Sequence, residues 1–388
     1  MLSRLWLLFA QATTVGLALL FIVATLKPQW LRDAPAPARA PAPQVTIQHS
    51  AAPPAPGAVA LPSYADAARR AMPAVVSVYT TKEIRRSPAL EDPIFDRFFG
   101  DRAPGRGERV AGLGSGVIAA AEGYVLTNHH VVQAADEIAV ALADGRRVPA
   151  SLVGADPETD VAVLRIDATD LPVITLGSSE ALKVGDVVLA IGNPFDVGQT
   201  VTMGIVSAVG RNNLGINRYE NFIQTDAAIN QGNSGGALVD TAGNLVGLNT
   251  AIYSRSGGSI GIGFAIPTAI VTEVMKDLIA KGRVTRGYFG IEPVDITPEL
   301  VAALKLRREH GVVVRGVQRN APAGNAGMEP GDVLLSINEV PVRDTPGMLN
   351  QIAGLAPGTV AKVRVQRNGR EVDLSVAVGE RPVPPERR

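Results

Sequence analysis

Between residues 74 and 267 the apolar residues come in short runs, each cut off by a turn rich in glycine or aspartate. The runs at 74–79, 116–119, 124–127, 138–142, 161–166, 187–191, 201–209, 237–239 and 245–252 fall short of the roughly 10–12 residues a core helix needs. Their lengths suit strands, and turns such as Ala143-Asp144-Gly145 and Thr241-Ala242-Gly243-Asn244 divide them. Many short strands at this spacing predict a β-barrel or a β-sandwich. A content of 40 Gly and 28 Pro, with only 4% aromatic residues, agrees with a turn-rich β protein. One stretch, 82–109, breaks the rhythm. It is charged, carries Pro88, Pro93 and Pro104, includes Ile94, Phe95, Phe98 and Phe99, and reads as a long functional loop.

The flanks differ. Ser63 followed three residues later by Asp66 predicts a short helix capped by Ser63 and running to about 71. Ile270, Val271, Val274, Leu278 and Ile279 recur at helical spacing over 268–281, and Gly282 is placed to stop that helix. The remainder is again β-rich, with runs at 311–317, 332–337 and 360–366 and helical pieces at 322–326 and 344–353. At the other end, Leu5 to Leu26 is free of charge and flanked by Arg4 and Lys27. As a helix it rises roughly 33 Å, enough for a bilayer core of about 30 Å. A cleaved signal has a shorter apolar region, and Lys27-Pro28-Gln29-Trp30 follows here, so an uncleaved anchor is expected; Ala38-Arg39-Ala40 is the alternative cleavage site. Eight prolines between Pro35 and Pro62 make a semi-rigid spacer. The expected organisation is an anchor at 1–32, a spacer at 33–62, one domain at 63–282, a second at 283–380 and a polar tail at 381–388.

Composition excludes several functions. With 37 basic and 37 acidic residues the formal net charge is zero, so no nucleic-acid partner is expected. The absence of cysteine excludes disulfides, thiolate metal sites and a cysteine nucleophile. No metal-ligand spacing is visible, and no cofactor is expected. Gly112-Leu113-Gly114-Ser115-Gly116 lacks the spacing of a dinucleotide-binding turn and leads into strand-like sequence.

Gly232-Asn233-Ser234-Gly235-Gly236 carries the sharpest chemical signal. A serine nucleophile needs an exposed hydroxyl on a tight turn, with backbone N–H groups aimed at a developing oxyanion; flanking glycines permit both. Such a serine also needs a base and an acid to orient it. Of four histidines, His49 lies in the spacer and His310 in the second domain, which leaves the neighbours His129 and His130. Adjacent side chains diverge, so only one of them can face the serine. Asp160 directly precedes a buried strand reading. The order His, Asp, Ser is that of trypsin-like proteases.

Several motifs in that order carry a resemblance to a known family. They are Leu113-Gly114-Ser115-Gly116-Val117, Thr127-Asn128-His129-His130-Val131, Asp160-Val161-Ala162-Val163-Leu164, Ala190-Ile191-Gly192-Asn193-Pro194 and Gln224-Thr225-Asp226-Ala227-Ala228-Ile229-Asn230, completed by 232–238 and 261–267. Over nearly all of 63–380 the chain resembles the HtrA family of serine proteases, and among them the membrane-anchored members with one PDZ domain. The resemblance implies a mainly β protein: a trypsin-like double β-barrel protease domain followed by one PDZ domain, with an N-terminal transmembrane helix. The family pattern Thr-Asn-x-His-Val makes His130 catalytic and His129 the variable position. His130 is then the base for Ser234, and Asp160 holds its tautomer. The amides of Gly232 and Ser234 form the oxyanion hole once Gln231-Gly232 is suitably turned, and Ala228 floors the S1 pocket, which argues against a basic P1 residue.

In the second domain, Arg286-Gly287-Tyr288-Phe289-Gly290-Ile291 resembles the family's carboxylate-binding loop. Tyr288, Phe289, Gly290 and Ile291 are therefore expected to receive a peptide C-terminus that adds as a strand. Residues 323–328 and 330–334 also match the PDZ pattern. Arg211, at the start of the loop 211–221, stands where the family keeps a regulatory arginine. The resemblance further implies a homotrimer, with Tyr64, Phe95, Phe98 and Phe99 as candidate contacts. It implies a single-pass protein of the bacterial inner membrane with both domains in the periplasm. Activation by C-terminal peptides of misfolded outer-membrane proteins follows, with the periplasmic part of a membrane-bound anti-sigma factor as substrate. The alternatives are a general quality-control protease and a PDZ-based scaffold.

Overall fold

The computed structural model describes residues 2–27, 63–83, 109–133, 135–193, 198–252, 258–304 and 311–382. The spacer 33–62 with His49, the site at 38–40, the aromatic cluster Phe95, Phe98 and Phe99, His310 and the tail beyond residue 382 lie outside them. Two units result, 1–61 and 62–388.

In the first unit, α1 (Leu2–Leu26) is one helix. Its segment Leu5–Leu26 has a mean hydropathy of 2.2 and meets the length and composition of a membrane span. Thr13, Thr14 and Thr25 interrupt the apolar run, but each hydroxyl donates back to the carbonyl four residues earlier at 2.8 Å. Those polar atoms are satisfied within the helix, which is what an apolar solvent requires.

The second unit opens with α2 (Ala65–Ala71), and here the cap differs from expectation. Tyr64 occupies the N-cap position without a side-chain bond, while Ser63 Oγ accepts only from the Ala65 N–H at 3.3 Å. Packing explains the shift: Tyr64 lies against the core and fixes where the helix starts, and Asp66 pairs with Arg69. Six strands follow: β1 (Val75–Glu83), β2 (Arg109–Ala120), β3 (Tyr124–Thr127), β4 (Glu137–Ala141), β5 (Arg147–Asp156) and β6 (Val161–Ile166). They close into a barrel in the order β1-β2-β3-β6-β5-β4. Between β3 and β4, α3 (His129–Val132) is a single turn where the sequence suggested a strand end. Six more strands close a second barrel: β7 (Val187–Gly192), β8 (Thr200–Arg211), β9 (Phe222–Thr225), β10 (Ala237–Val239), β11 (Leu245–Ile252) and β12 (Gly263–Pro267). Their order, β7-β8-β9-β12-β11-β10, repeats the first barrel's.

Strand pattern alone left barrel or sandwich open; two barrels form, as the family resemblance implied. Val117, Leu126, Val161 and Val163 of the first pack with Ile191, Phe222, Leu248 and Phe264 of the second in one cluster. Strands such as β6 and β11 are thus buried on both faces, which explains continuous apolar runs in place of alternation. β5 escaped notice because it is largely exposed and carries Pro149, Ser151 and Gly154. Helix α4 (Thr268–Lys281) lays Val271, Val274 and Leu278 on this cluster and ends at Gly282, whose φ of 71° is left-handed. Ile279 of the expected apolar set is exposed.

The C-terminal part contains β13 (Gly287–Tyr288), β14 (Ile291–Asp295), α5 (Pro298–Leu304), β15 (Val312–Val317), α6 (Pro322–Asn325), β16 (Val333–Ile337), β17 (Val340–Pro341), α7 (Thr345–Ala353), β18 (Val360–Arg367), β19 (Arg370–Ala377) and β20 (Gly379–Glu380). The sheet runs β14-β15-β16-β18-β19, with β17 beside β16 and β13 paired with β20. Phe289, Val314, Leu334, Met348 and Val376 form its core. Asp344 caps α7 by accepting the Gly347 N–H at 2.7 Å.

Candidate active site

The ends of β3 and β6 in the first barrel and the turn before β10 in the second meet at the junction of the barrels. Asp160, directly before β6, has φ +62°, a left-handed conformation uncommon outside glycine. Its carbonyl is held there by two donors, Asn128 Nδ2 at 2.9 Å and the His129 N–H at 3.2 Å. The carboxylate is thereby turned toward His130. Asp160 Oδ1 accepts the His130 N–H at 2.9 Å, and Oδ2 lies 2.8 Å from His130 Nδ1. A third donor, Thr250 Oγ1, reaches Oδ2 at 2.7 Å. Burial pushes the Asp160 carboxyl up, but the His130 charge and the hydrogen bonds from His130 and Thr250 overcome it and hold the group below its ordinary 3.8. A carboxylate kept ionised beside Nδ1 favours the proton on that nitrogen, leaving the Nε2 lone pair for proton transfer.

Ser234 Oγ donates to the carbonyl of Thr250 at 3.1 Å. Thr250 therefore touches two of the three expected residues, its hydroxyl on Asp160 and its carbonyl on Ser234. The turn around Ser234 demands glycine. Gly232 and Gly235 have φ of 99° and 81°, and a Cβ on Gly235 would collide with Ser115 O and Thr127 Oγ1. Within the turn the Asn233 N–H donates to Asn230 O, the Gly235 N–H to Asn249 O and the Gly236 N–H to Asn233 O. Among the described residues the N–H groups of Gly232 and Ser234 have no acceptor. Two unengaged amides on the turn of a potential nucleophile can stabilise negative charge on a bound carbonyl oxygen. Half-buried Ala228 has its carbonyl bonded by Thr202 Oγ1 at 2.8 Å. Arg211 ends β8 and donates to Gln224 at 2.9 Å, joining neither this cluster nor the groove below.

A cavity of about 390 Å³ lies between β14 and α7. Tyr288, Gly290, Ile291, Leu349 and Ile352 border it; Phe289 contributes there too, although its ring is buried in the domain core. Among the described residues β14 pairs only with β15, so its other edge is open to this groove. Its rim includes Arg218 and Tyr219 from the barrel domain, and Arg381. Arg286 Nη1 donates to Asp156 Oδ1 at 2.9 Å, Arg381 Nη2 to Glu158 Oε1 at 2.7 Å, and the Arg286 guanidinium stacks 4.6 Å from the Tyr219 ring. Asn350 on α7 donates to Glu220 O at 2.8 Å. The groove wall is thus tied to the segment that leads into Asp160.

Sequence reasoning missed the Thr250, Asn128 and Ser115 side chains. Thr250 had a signal: with Asn249 it interrupts an otherwise apolar strand in which both are buried. Nothing local in the sequence marks Asp156 and Glu158; their contacts with Arg286 and Arg381 are tertiary.

Comparison with known proteins agrees with this architecture. A trypsin-like peptidase domain matches residues 114–248 and a PDZ domain residues 287–378. A probable periplasmic serine endoprotease DegP-like of Chlamydia muridarum is 44% identical over 297 residues, covering 76% of this chain and 60% of its own length. The chain thus spans less than two thirds of that relative. The periplasmic pH-dependent serine endoprotease DegQ of Escherichia coli is 42% identical over 330 residues, covering 83% of this chain and 72% of its own. Among solved structures, the HtrA-type protease AlgW with a decapeptide superposes with a TM-score of 0.71 at 56% identity, over 83% of this chain and all of that one.

Proposed function

Because the chain belongs to the HtrA family of serine proteases, we propose that it is a serine endopeptidase controlled by peptide C-termini bound at its PDZ groove. The observation that carries the reading is the buried Asp160–His130 pair at 2.8 Å beside a Gly-Asn-Ser-Gly-Gly turn with two unengaged amides. His130 takes the Ser234 proton as the hydroxyl attacks a peptide carbonyl. Asp160 stabilises the imidazolium, and the Gly232 and Ser234 amides receive the oxyanion. Ala228 leaves the S1 pocket without a carboxylate. A fluorogenic peptide library is expected to show small apolar P1 residues, and cleavage after Lys or Arg would reject that assignment.

The groove supports regulation. Its open strand edge suits an added peptide strand, and Ile291, Leu349 and Ile352 suit an apolar terminal side chain, while the N–H groups of Phe289, Gly290 and Ile291 receive the carboxylate. The ion pairs of Arg286 and Arg381 offer a physical route from the groove to Asp160. We place the protein in the bacterial inner membrane through α1, with both domains in the periplasm. Like DegS and AlgW, it would read C-termini of misfolded outer-membrane proteins and cut a membrane-bound anti-sigma factor. A homotrimer fits the apolar surface offered by exposed Val184, Met203 and Ile205.

The test is fluorophosphonate labelling of the full-length protein with and without a synthetic decapeptide ending in phenylalanine with a free carboxylate. Labelling of Ser234 that rises with the decapeptide is expected. Equal labelling without it favours general quality-control proteolysis, and no labelling under either condition rejects the enzyme in favour of a scaffold.

A further inference from the structure

The Gly114-Ser115-Gly116 motif has so far no role in the chemistry, and the structure gives it one. We infer that Ser115 is a positioning residue for the oxyanion-binding turn; the inference rests on the reading of Ser234 as nucleophile. Ser115 lies in β2 of the first barrel, fully buried, and reaches across to the second barrel. Its N–H donates to Ser234 O at 2.8 Å and its Oγ to Gly232 O at 2.6 Å. One residue thus holds the carbonyls on both sides of Asn233.

The direction of the hydroxyl is set. Ser115 Oγ accepts the Asn193 N–H at 2.9 Å, so its own hydrogen is the one given to Gly232. Asn193 is anchored in turn, since its Nδ2 donates to Ser77 Oγ at 2.7 Å on β1. Thr127 Oγ1 donates to Ser115 O at 2.7 Å and fixes the strand itself. The flanking glycine allows this approach: a Cβ at Gly114 would stand 3.3 Å from Ser234 O and overlap Val131.

The consequence concerns Gly232, whose φ of 99° comes from the residue type with the greatest backbone freedom. Fixing its carbonyl confines the torsions on either side and with them the direction of its own N–H. Without the hydroxyl, a buried carbonyl loses its donor and rotates toward another, and the adjoining peptide follows. An oxyanion donor that points elsewhere stabilises no transition state, while substrate still binds in the ground state.

The experiment compares full-length wild-type protein with Ser115→Ala and Ser115→Cys in detergent micelles, saturated with the phenylalanine-terminated decapeptide. The substrate is a fluorogenic peptide with a small apolar P1 residue. Deleting one oxyanion donor costs about 10²–10³ in rate, so losing its anchor is expected to lower kcat about 10–100-fold in Ser115→Ala. KM should stay within about twofold and decapeptide affinity should be unchanged. The acid limb of the pH–rate profile should not move. Ser115→Cys, with a weaker donor, should fall between the two and carries the test if the alanine variant does not fold. A kcat per folded molecule within about threefold of wild type, or a shifted acid limb, overturns the inference. Wild-type protein that neither cleaves nor labels overturns the endopeptidase reading itself, a different result from active wild type with equally active variants.

Discussion

Replacing Ser234 with alanine is expected to lower kcat by about 10⁶-fold, the scale at which removal of a nucleophile abolishes covalent catalysis in a triad protease. The change deletes one oxygen from a buried turn. The bonds that shape the turn come from backbone atoms of Asn233, Gly235 and Gly236 and from Ser115, so they survive it. The groove between β14 and α7 is built from other residues, and decapeptide affinity measured by fluorescence anisotropy should match wild type. Fluorophosphonate labelling should vanish. Turnover retained in a pure preparation would remove Ser234 from the mechanism.

Asp160→Asn is expected to cost about 10⁴ in kcat. Asparagine tolerates the left-handed φ of this position, so the bonds from Asn128 and the His129 N–H to its carbonyl persist and only the charge is removed. His130 then loses both the partner that fixes its tautomer and the charge that stabilises its protonated form. The same charge gives a pH signature. The Asp160 carboxyl lies below its ordinary 3.8 in the folded protein, chiefly through His130 and Thr250 acting against burial. Above the unfolded value of about 4 its ionised form contributes stability in full, and that contribution is lost as pH falls below 3.8 toward the folded value. The difference in thermal midpoint between wild type and Asp160→Asn, measured from pH 7 downward, should be constant to about pH 5 and shrink below pH 4. A difference independent of pH would show that the carboxylate is not held ionised by these partners.

Particular residues show what was legible in the chain. The glycines of the Ser234 turn were readable because one of their requirements is local: the positive φ of Gly232 and Gly235 disfavours other residues wherever the turn folds. Helix α4 was readable from its spacing and its terminal glycine. His129 and His130 were not distinguishable by position. The helical turn α3 sends the two rings in different directions, and it is His130 whose Nδ1 meets Asp160. β14 and β19 were missed because edge strands with half-buried or alternating charged residues lack the apolar run that marks a buried strand.

What the sequence alone determined was short-range: the apolar N-terminal segment, the turn-divided strands, the helix stops and the glycine turn around Ser234. Each follows from backbone periodicity or sterics over a few neighbouring residues. Tertiary structure decided the rest. Two barrels, rather than one sandwich, arose from closure of strands far apart in the chain. Ser115 bonds a carbonyl 117 residues away, Thr250 a carboxylate 90 away, and Arg286 a carboxylate 130 away. A polar side chain's role depends on which donor or acceptor the fold brings within about 3 Å. That partner is set by packing of the whole chain, so no local pattern around Ser115 or Asp156 records it.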